Sequence, residues 1–169
     1  MIVLIVDGYN VIGAAPSLKL LRDEDLGQAR ELLVNQLAEY QAYTGYKVIV
    51  VFDAYSVHGI EKKEKNSRVE VIYTKENETA DERIEKLVKE IKNIQTQVYV
   101  ATSDYTEQRT IFAQGALRKS ARELLNEIKS IERSINNEVK NNSLIKNRSK
   151  IPLNKDVLDL FEKWRRGEK

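Results

Sequence analysis

Residues 1–10 read MIVLIVDGYN, and this stretch predicts the strand around which the rest of the chain is arranged. Its five consecutive apolar residues, Ile2 to Val6, are typical of a strand buried on both faces of a sheet. The run ends at Asp7, and Gly8 is suited to the tight turn that leaves a sheet. In open α/β sheets, ligands bind just beyond the carboxyl ends of the strands. We therefore expect Asp7 at the mouth of a binding crevice, although a simple Asp-Gly surface turn would give the same pattern.

Length and composition limit the classes of protein to consider. With 169 residues, of which 41% are hydrophobic and 32% charged, the chain is long enough for one soluble domain with a buried core. The absence of cysteine excludes disulfides, thiolate zinc sites and cysteine nucleophiles, and a single histidine, His58, disfavours imidazole metal sites and serine-histidine triads. The apolar start is too short for a signal peptide, and no run reaches membrane-spanning length. We expect a monomeric cytoplasmic protein with no membrane contact.

Strand and helix patterns alternate along the chain. The predicted strands are residues 2–6, 47–52, 69–73 and 97–102. The predicted helices are residues 28–43, 79–93, a short segment after 104, 117–139 and 152–166. Residues 11–19 and 54–67 are predicted loops, and residues 141–150 a polar linker. This alternation predicts an α/β fold with a mostly parallel sheet of about four to five strands and helices on both faces. The predicted division is a domain over residues 1–140, followed by a linker and a helix, 141–169, that packs on the same domain.

Three of the four predicted strands end in aspartate. These residues are Asp7, Asp53 and Asp104, out of only eight aspartates in the chain. If the first strand is central, the three carboxylates meet at one switch point of the sheet. Asp81, in the first turn of a predicted helix, is able to face the same crevice. Local roles remain open for two of them, because Asp104 is also a good helix N-cap and Asp81 favours a helix dipole.

A cluster of carboxylates without histidine or cysteine is typical of a site for a hard cation. Without a cation the four carboxylates would repel one another, so we expect Mg²⁺ or Mn²⁺. Asn10 and Ser103 add neutral oxygen ligands or hydrogen-bonding groups. The chain has no phosphate-binding P-loop, no nucleophile elbow and no dinucleotide fingerprint. Metal-assisted attack of water on a phosphodiester therefore fits the predicted site best.

Positive charge is concentrated in the last third of the chain. Residues 1–116 hold 14 basic against 18 acidic residues, and residues 117–169 hold 14 against 8, which together give the net charge of +2. Such an asymmetry suits a protein that binds metal at one place and a polyanion beside it. The predicted RNA-binding residues are Arg118, Lys119 and Arg122 on the long helix, with Lys62, Lys63, Lys65 and Arg68 on the loop before the third strand.

Several short motifs resemble the NYN domain family of PIN-like, metal-dependent ribonucleases. These motifs are VDGYN at 6–10, VVFDA at 50–54, NETADE at 77–82 and ATSD at 101–104. Two others, GALRKSAREL at 115–124 and FEKWRRG at 161–167, resemble its bacterial YacP-like branch, which includes a ribosome-associated endoribonuclease acting on messenger RNA. The resemblance implies a PIN-like three-layer fold, Mg²⁺ bound by the four aspartates, messenger RNA as substrate and the ribosome as partner.

Other functions are compatible with parts of this pattern. A haloacid-dehalogenase-like phosphatase would use Asp7 as nucleophile, but it requires a second aspartate where this chain has Tyr9. A receiver domain also has aspartates at strand ends, but it requires a lysine at a late strand end that is not found here. An RNA- or ribosome-binding module with a vestigial acidic site remains the non-enzymatic alternative.

Overall fold

The central strand of the sheet is β1, as the apolar run predicts. The structure, a computed structural model, describes residues 1–54, 68–148 and 155–167. The strands are β1 (Ile2–Asp7), β2 (Lys47–Phe52), β3 (Glu70–Tyr73), β4 (Gln97–Ala101) and β5 (Leu117–Lys119). The helices are α1 (Gly8–Ala14), α2 (Pro16–Glu24), α3 (Leu26–Thr44), α4 (Ala80–Ile91), α5 (Tyr105–Ala113), α6 (Ala121–Arg148) and α7 (Lys155–Arg165).

The strands form one sheet in the order β3-β2-β1-β4-β5, and every neighbouring pair is parallel. Val6 of β1 pairs with Val50 on one side and with Ala101 on the other, so the carboxyl ends of β1, β2 and β4 lie along one edge. The chain moves outward from β1 through β2 to β3 and then crosses to β4 on the other side of β1. This reversal creates the crevice in which ligands of such sheets bind. The predicted α/β, PIN-like fold is confirmed.

Two helical layers cover the sheet. Alternate residues of a strand point to opposite faces, and one face of β1, β2 and β4 packs against α4 and α5 in a core that includes Val3, Ile5, Ile84 and Ile111. The other face includes the fully buried Phe52, and helices α1 and α3 contact the strands there. The layer formed by α4 and α5 is the one that positions the candidate site.

Two helices replace the predicted loop at residues 11–19. Asp7 forms the N-cap of α1 and accepts a hydrogen bond from the backbone N–H of Asn10 at 3.3 Å. Pro16 begins α2 and is compatible with it, because the first residue of a helix needs no N–H donor. The loop prediction is wrong because Gly13 and Pro16 do not break the helical structure: α1 includes Gly13 and ends at Ala14, and α2 starts at the proline.

The predicted helix over residues 117–139 begins later and ends later in the structure. Residues 117–119 form β5, and α6 begins after Ser120, whose hydroxyl and backbone N–H exchange hydrogen bonds with Glu123. Helix α6 then continues to Arg148, so residues 141–148 are helical where a linker was predicted. Leu144 and Ile145, in this extended part of the helix, are both exposed.

The chain divides into two compact units, Met1–Ile131 and Glu132–Lys169. The first unit contains the sheet and helices α1 to α5, and the second contains most of α6 together with α7. In α7, Leu158, Phe161 and Trp164 are exposed, and the expected packing of this segment on the preceding domain stays a prediction. Among the described helices, none has the length and apolar character needed to cross a membrane.

A close contact between Gly8 and Phe52 leads to a first testable prediction. A methyl group on Gly8 would overlap the Phe52 ring, which is fully buried between Tyr9 and Tyr73 with ring centroids 5.1 and 5.8 Å away. Because Phe52 has no space to move, Gly8→Ala is expected to lower the free energy of unfolding by about 2 kcal/mol. Urea denaturation followed by circular dichroism measures this change.

The matched control is Gly13→Ala in the same helix. Its nearest neighbour is the Arg22 guanidinium at 3.7 Å, which is an ordinary contact, and alanine is a better helix former than glycine. This variant should be as stable as the wild type or slightly more so. Equal stability of both variants would show that the packing around Phe52 is not tight.

Candidate active site

Three acidic side chains meet at the carboxyl edge of the sheet. Carboxylate oxygens of Asp7, Asp81 and Glu107 all lie within 4.8 Å of one another. Asp7 and Glu107 are buried, with exposed fractions of 8% and 5%, whereas Asp81 is exposed. Acidic groups held this close require a counter-charge, and an all-oxygen set of ligands suits a hard divalent cation.

Each of the three acids is placed by a different element. Asp7 ends the central strand and, as the N-cap of α1, has one carboxylate oxygen fixed by a backbone N–H. Asp81 lies in the first turn of α4, which begins with a complete capping box formed by Thr79 and Glu82. Because Glu82 performs the capping, the Asp81 carboxylate is available to face Asp7.

Glu107 is directed into the cluster because its usual local role is already filled. In a capping box, the glutamate at this position would accept a hydrogen bond from the N-cap residue. Here that backbone N–H, of Asp104, donates to the Thr102 hydroxyl at 3.1 Å instead. Both carboxyl oxygens of Glu107 are buried, and in the described part of the chain neither has a hydrogen-bond partner. Two buried oxygens without donors are what a bound cation would satisfy.

The electrostatics of the cluster favour partial protonation without metal. Burial, followed by the charges of Asp7, Asp81 and Asp104, raises the pKa of Glu107 to about 8, although the nearby Thr102 hydroxyl opposes this shift. Burial likewise raises the pKa of Asp7 to about 6, with the neighbouring aspartates contributing. Burial and the neighbouring carboxylates also raise the pKa of Asp81. The cluster is therefore under charge repulsion that a divalent cation would relieve.

Asp53 and Asp104 lie next to this cluster but outside the closest group. The charges of both raise the pKa of Asp7 and Asp81, so they are electrostatic neighbours of the site. Asp104 is the N-cap of α5, and its carboxylate accepts hydrogen bonds from the backbone N–H groups of Thr106 and Glu107 at 2.8 and 3.2 Å. The capping role that the sequence left open for Asp104 is thus present, and metal binding by Asp53 and Asp104 stays a prediction.

Asn10 connects the two loops that border the crevice. Its side-chain oxygen accepts a hydrogen bond from the backbone N–H of Ser103 at 2.7 Å. This bond joins the start of α1 to the loop between β4 and α5. The structure brings Asn10 and Ser103 together through this bond, which uses the Asn10 amide oxygen. Their role as ligands or hydrogen-bonding groups of the site stays a prediction.

The predicted RNA-binding cations have different surroundings. Arg118 and Lys119 lie on β5 rather than on the long helix, because these residues pair with Val100 and Ala101 of β4. Arg122 is exposed at the start of α6, and Arg68 is exposed just before β3. Lys62, Lys63 and Lys65, like His58, lie outside the described residues.

Glu107 is the acidic residue that the sequence pattern missed. It lies three residues after Asp104, a position for which a capping box already offers a local explanation. A signal existed: it is the one acidic residue in the helix that follows the aspartate-terminated strand β4, and the apolar Ile111 lies four residues on. That spacing places Glu107 on the inner face of α5.

The chain is similar to known proteins in sequence and in fold. Over 168 residues, covering 99% of both chains, the sequence is 61% identical to the protein YacP of Bacillus subtilis strain 168. The fold matches the crystal structure of Rae1 (YacP) from Bacillus subtilis with a TM-score of 0.79 and 61% identity, covering 99% of this chain and 97% of that one. The W164L mutant of the same protein matches with a TM-score of 0.74 and 57% identity over the same shares of the chains.

A family profile covers almost the whole sequence. Residues 4–166 match the profile described as YacP-like NYN domain. The matched range includes the acidic cluster, the last four residues of β1, strands β2 to β5 and helix α7. By this match and by its 61% identity to YacP, the chain belongs to the YacP-like NYN domain family.

Proposed function

We propose that this protein is a metal-dependent endoribonuclease that hydrolyses phosphodiester bonds of messenger RNA in association with the ribosome. Membership of the NYN domain family supports a nuclease-like function related to RNA. The main supporting observation is the acidic group of Asp7, Asp81 and Glu107, whose oxygens lie within 4.8 Å of one another at the sheet edge where ligands bind.

The proposed metal ligands are Asp7, Asp81 and Glu107, with Asp53 and Asp104 acting directly or through bound water. Their chemistry fits a divalent cation, because all are oxygen donors and both oxygens of Glu107 lack another partner within the described residues. Mg²⁺ is the proposed ion, with Mn²⁺ as a substitute. When bound, such an ion activates water at neutral pH and stabilises negative charge on the phosphate oxygens.

The protein's own residues position the substrate and the loops. Asn10 holds the loop after β4 against the start of α1, which fixes the width of the crevice. An acidic crevice repels the phosphate backbone, so cations around it must hold the RNA. The cations proposed for this role are Arg118, Arg122 and Arg68, with Lys62, Lys63 and Lys65. Lys119 is not included, because its charge is paired with Glu127.

The cellular setting forms part of the proposal. The resemblance to the ribosome-associated branch and the excess of basic residues after residue 116 support binding to ribosomes in the cytoplasm. We propose a monomer, since the acidic group is formed within a single chain.

The test is cleavage of a long messenger RNA by the purified protein, with and without ribosomes. Cleavage is expected with Mg²⁺ or Mn²⁺, is expected to stop in EDTA, and should be faster on translated RNA. Cleavage that is unaffected by EDTA would contradict the metal-dependent reaction. Tight RNA or ribosome binding without cleavage under any of these conditions would instead support the binding module with a vestigial site.

A further inference from the structure

The two neighbouring cations of β5, Arg118 and Lys119, have different hydrogen-bond partners: Lys119 pairs with a carboxylate and Arg118 with a neutral amide. The Lys119 ammonium lies 2.6 Å from a carboxylate oxygen of Glu127 and 3.3 Å from the Tyr40 hydroxyl. The lysine also lies over the rings of Tyr40 and Tyr99, and its side chain is only 15% exposed. Its charge is neutralised within the protein, so Lys119 serves to fasten β5 to the helices behind it.

Arg118, by contrast, is held by a neutral group. Its guanidinium donates a hydrogen bond to the side-chain oxygen of Gln108 at 3.0 Å. In the described parts of the chain Arg118 forms no ion pair. Glu123, whose pKa is lowered first by its bonds to Ser120 and then by the charge of Arg118, is already bonded to the backbone of Ser120. An arginine has five N–H donors, so most of those on Arg118 remain available, together with its full charge.

Gln108 is itself rigidly fixed. It is 9% exposed, and its amide donates to the backbone carbonyl oxygen of Thr102 at 2.9 Å. Thr102 is fully buried at the end of β4, and its N–H bonds to the Lys119 carbonyl. The chain of contacts from Thr102 through Gln108 to Arg118 therefore fixes the guanidinium at the carboxyl edge of the sheet.

This position lies on the same face of the sheet as the acidic cluster. Gln108 directly follows Glu107 in α5, and both residues are buried. Arg118 pairs with Val100, which belongs to the same packed face of the sheet as Val3 and Ile5. Asp7 lies two residues after Ile5 on β1, so its side chain points to the same face of the sheet. The arginine and the acidic cluster thus share one face and one edge of the sheet.

We propose that Arg118 binds a phosphate group of the RNA beside the acidic cluster and that Gln108 is the positioning residue that orients its guanidinium. The inference rests on the proposed nuclease function. Arginine suits this role because its planar fork binds phosphate through two hydrogen bonds at once. The neutral amide of Gln108 orients the guanidinium and leaves its charge available. A carboxylate at position 108 would orient the guanidinium but would also neutralise its charge.

The experiment uses a short fluorescent single-stranded RNA and the full-length protein. Binding is measured by anisotropy against salt concentration in EDTA, and cleavage is measured with Mg²⁺. Arg118→Ala is expected to weaken binding about tenfold and to reduce the steepness of the salt dependence by about 0.7, the contribution of one phosphate contact on single strands. Arg109→Ala, which removes an exposed charge one residue from Gln108 in α5, is the matched control and should leave the slope unchanged.

Two substitutions of Gln108 separate positioning from charge. Gln108→Ala leaves the Arg118 charge in place but unfixed, so the salt slope should persist while kcat falls about tenfold. Gln108→Glu should pair with Arg118 and reduce the slope as Arg118→Ala does. A purely structural role would lower the melting temperature of these variants without changing the slope.

The outcomes distinguish this inference from the proposed function. If the wild type binds and cleaves the RNA while Arg118→Ala matches Arg109→Ala in affinity and slope, the phosphate contact is refuted and the nuclease function stands. If the wild type neither binds nor cleaves RNA, the proposed function itself fails. A salt slope for Gln108→Glu equal to that of the wild type would refute the positioning by Gln108.

Discussion

Asp7→Asn and Glu107→Gln are each expected to reduce Mg²⁺-dependent RNA cleavage about a thousandfold while the protein remains folded. Both substitutions keep the shape of the side chain but remove a charge from the group proposed to bind the metal. A bound ion contributes several kcal/mol of charge stabilisation, and a loss of about 4 kcal/mol corresponds to a thousandfold in rate. Cleavage of a labelled RNA at saturating Mg²⁺ measures the effect.

The fold should survive both changes for local reasons. Asparagine is as good an N-cap as aspartate, so the hydrogen bond from Asn10 to position 7 is retained. Asp23→Asn, which alters an exposed carboxylate paired with Arg22, is the control and should cleave RNA at the wild-type rate. If Glu107→Gln retains full activity at unchanged stability, Glu107 is not a member of the site, and Asp53 and Asp104 become the alternative ligands.

In the absence of metal, Glu107→Gln is expected to raise the free energy of unfolding at pH 8 by about 2 kcal/mol. Burial raises the pKa of Glu107 to about 8 in the folded protein from an ordinary value of 4.5. Between these values the folded state binds more protons than the unfolded state, so stability must fall as the pH rises. The raised pKa of Asp7, about 6, adds to this fall between pH 4 and 6.

Urea denaturation in EDTA from pH 4.5 to 8 checks this expectation. The wild type should lose stability as the pH rises, and Glu107→Gln should lose less. Glu90→Gln, at an exposed position of α4, should reproduce the wild-type profile. Wild-type stability that instead rises across this range would mean that the cluster is not under repulsion, and Mg²⁺ should then add little stability at pH 8.

The strands of the sheet could be predicted where consecutive apolar residues indicate burial on both faces. The second strand has the predicted bounds, 47–52, because a run of apolar β-branched residues fits only a strand covered on both faces. Glu70 interrupts the apolar run of the third strand, as suits an edge position, and β3 is an edge strand of the sheet. The capping box at Thr79 can also be read from the sequence, since it depends only on residues three apart.

Two features could not be predicted from the sequence, strand β5 and the burial of Glu107, because both depend on contacts between residues that are distant in the sequence. Strand β5 is only three residues long and has no alternation of its own, so it exists because β4 offers a free edge. The apolar spacing of α6 extended back over Leu117, which favoured a helix there. Glu107 was missed for a similar reason, because a glutamate after an N-cap has a local explanation, and its burial is visible only when α5 packs on the sheet.

The position of β1 has a consequence for how the protein is made. Among the described strands, β1 is translated before the other four and is the centre of the sheet, and it lacks its second neighbour until residues 97–101 have been translated. Its long-range pairings predict slow folding with exposed apolar edges on the nascent chain. The last acidic member of the cluster, Glu107, is translated later still. A protein proposed to cut RNA on ribosomes thus completes its acidic centre only after most of its sheet has been synthesised.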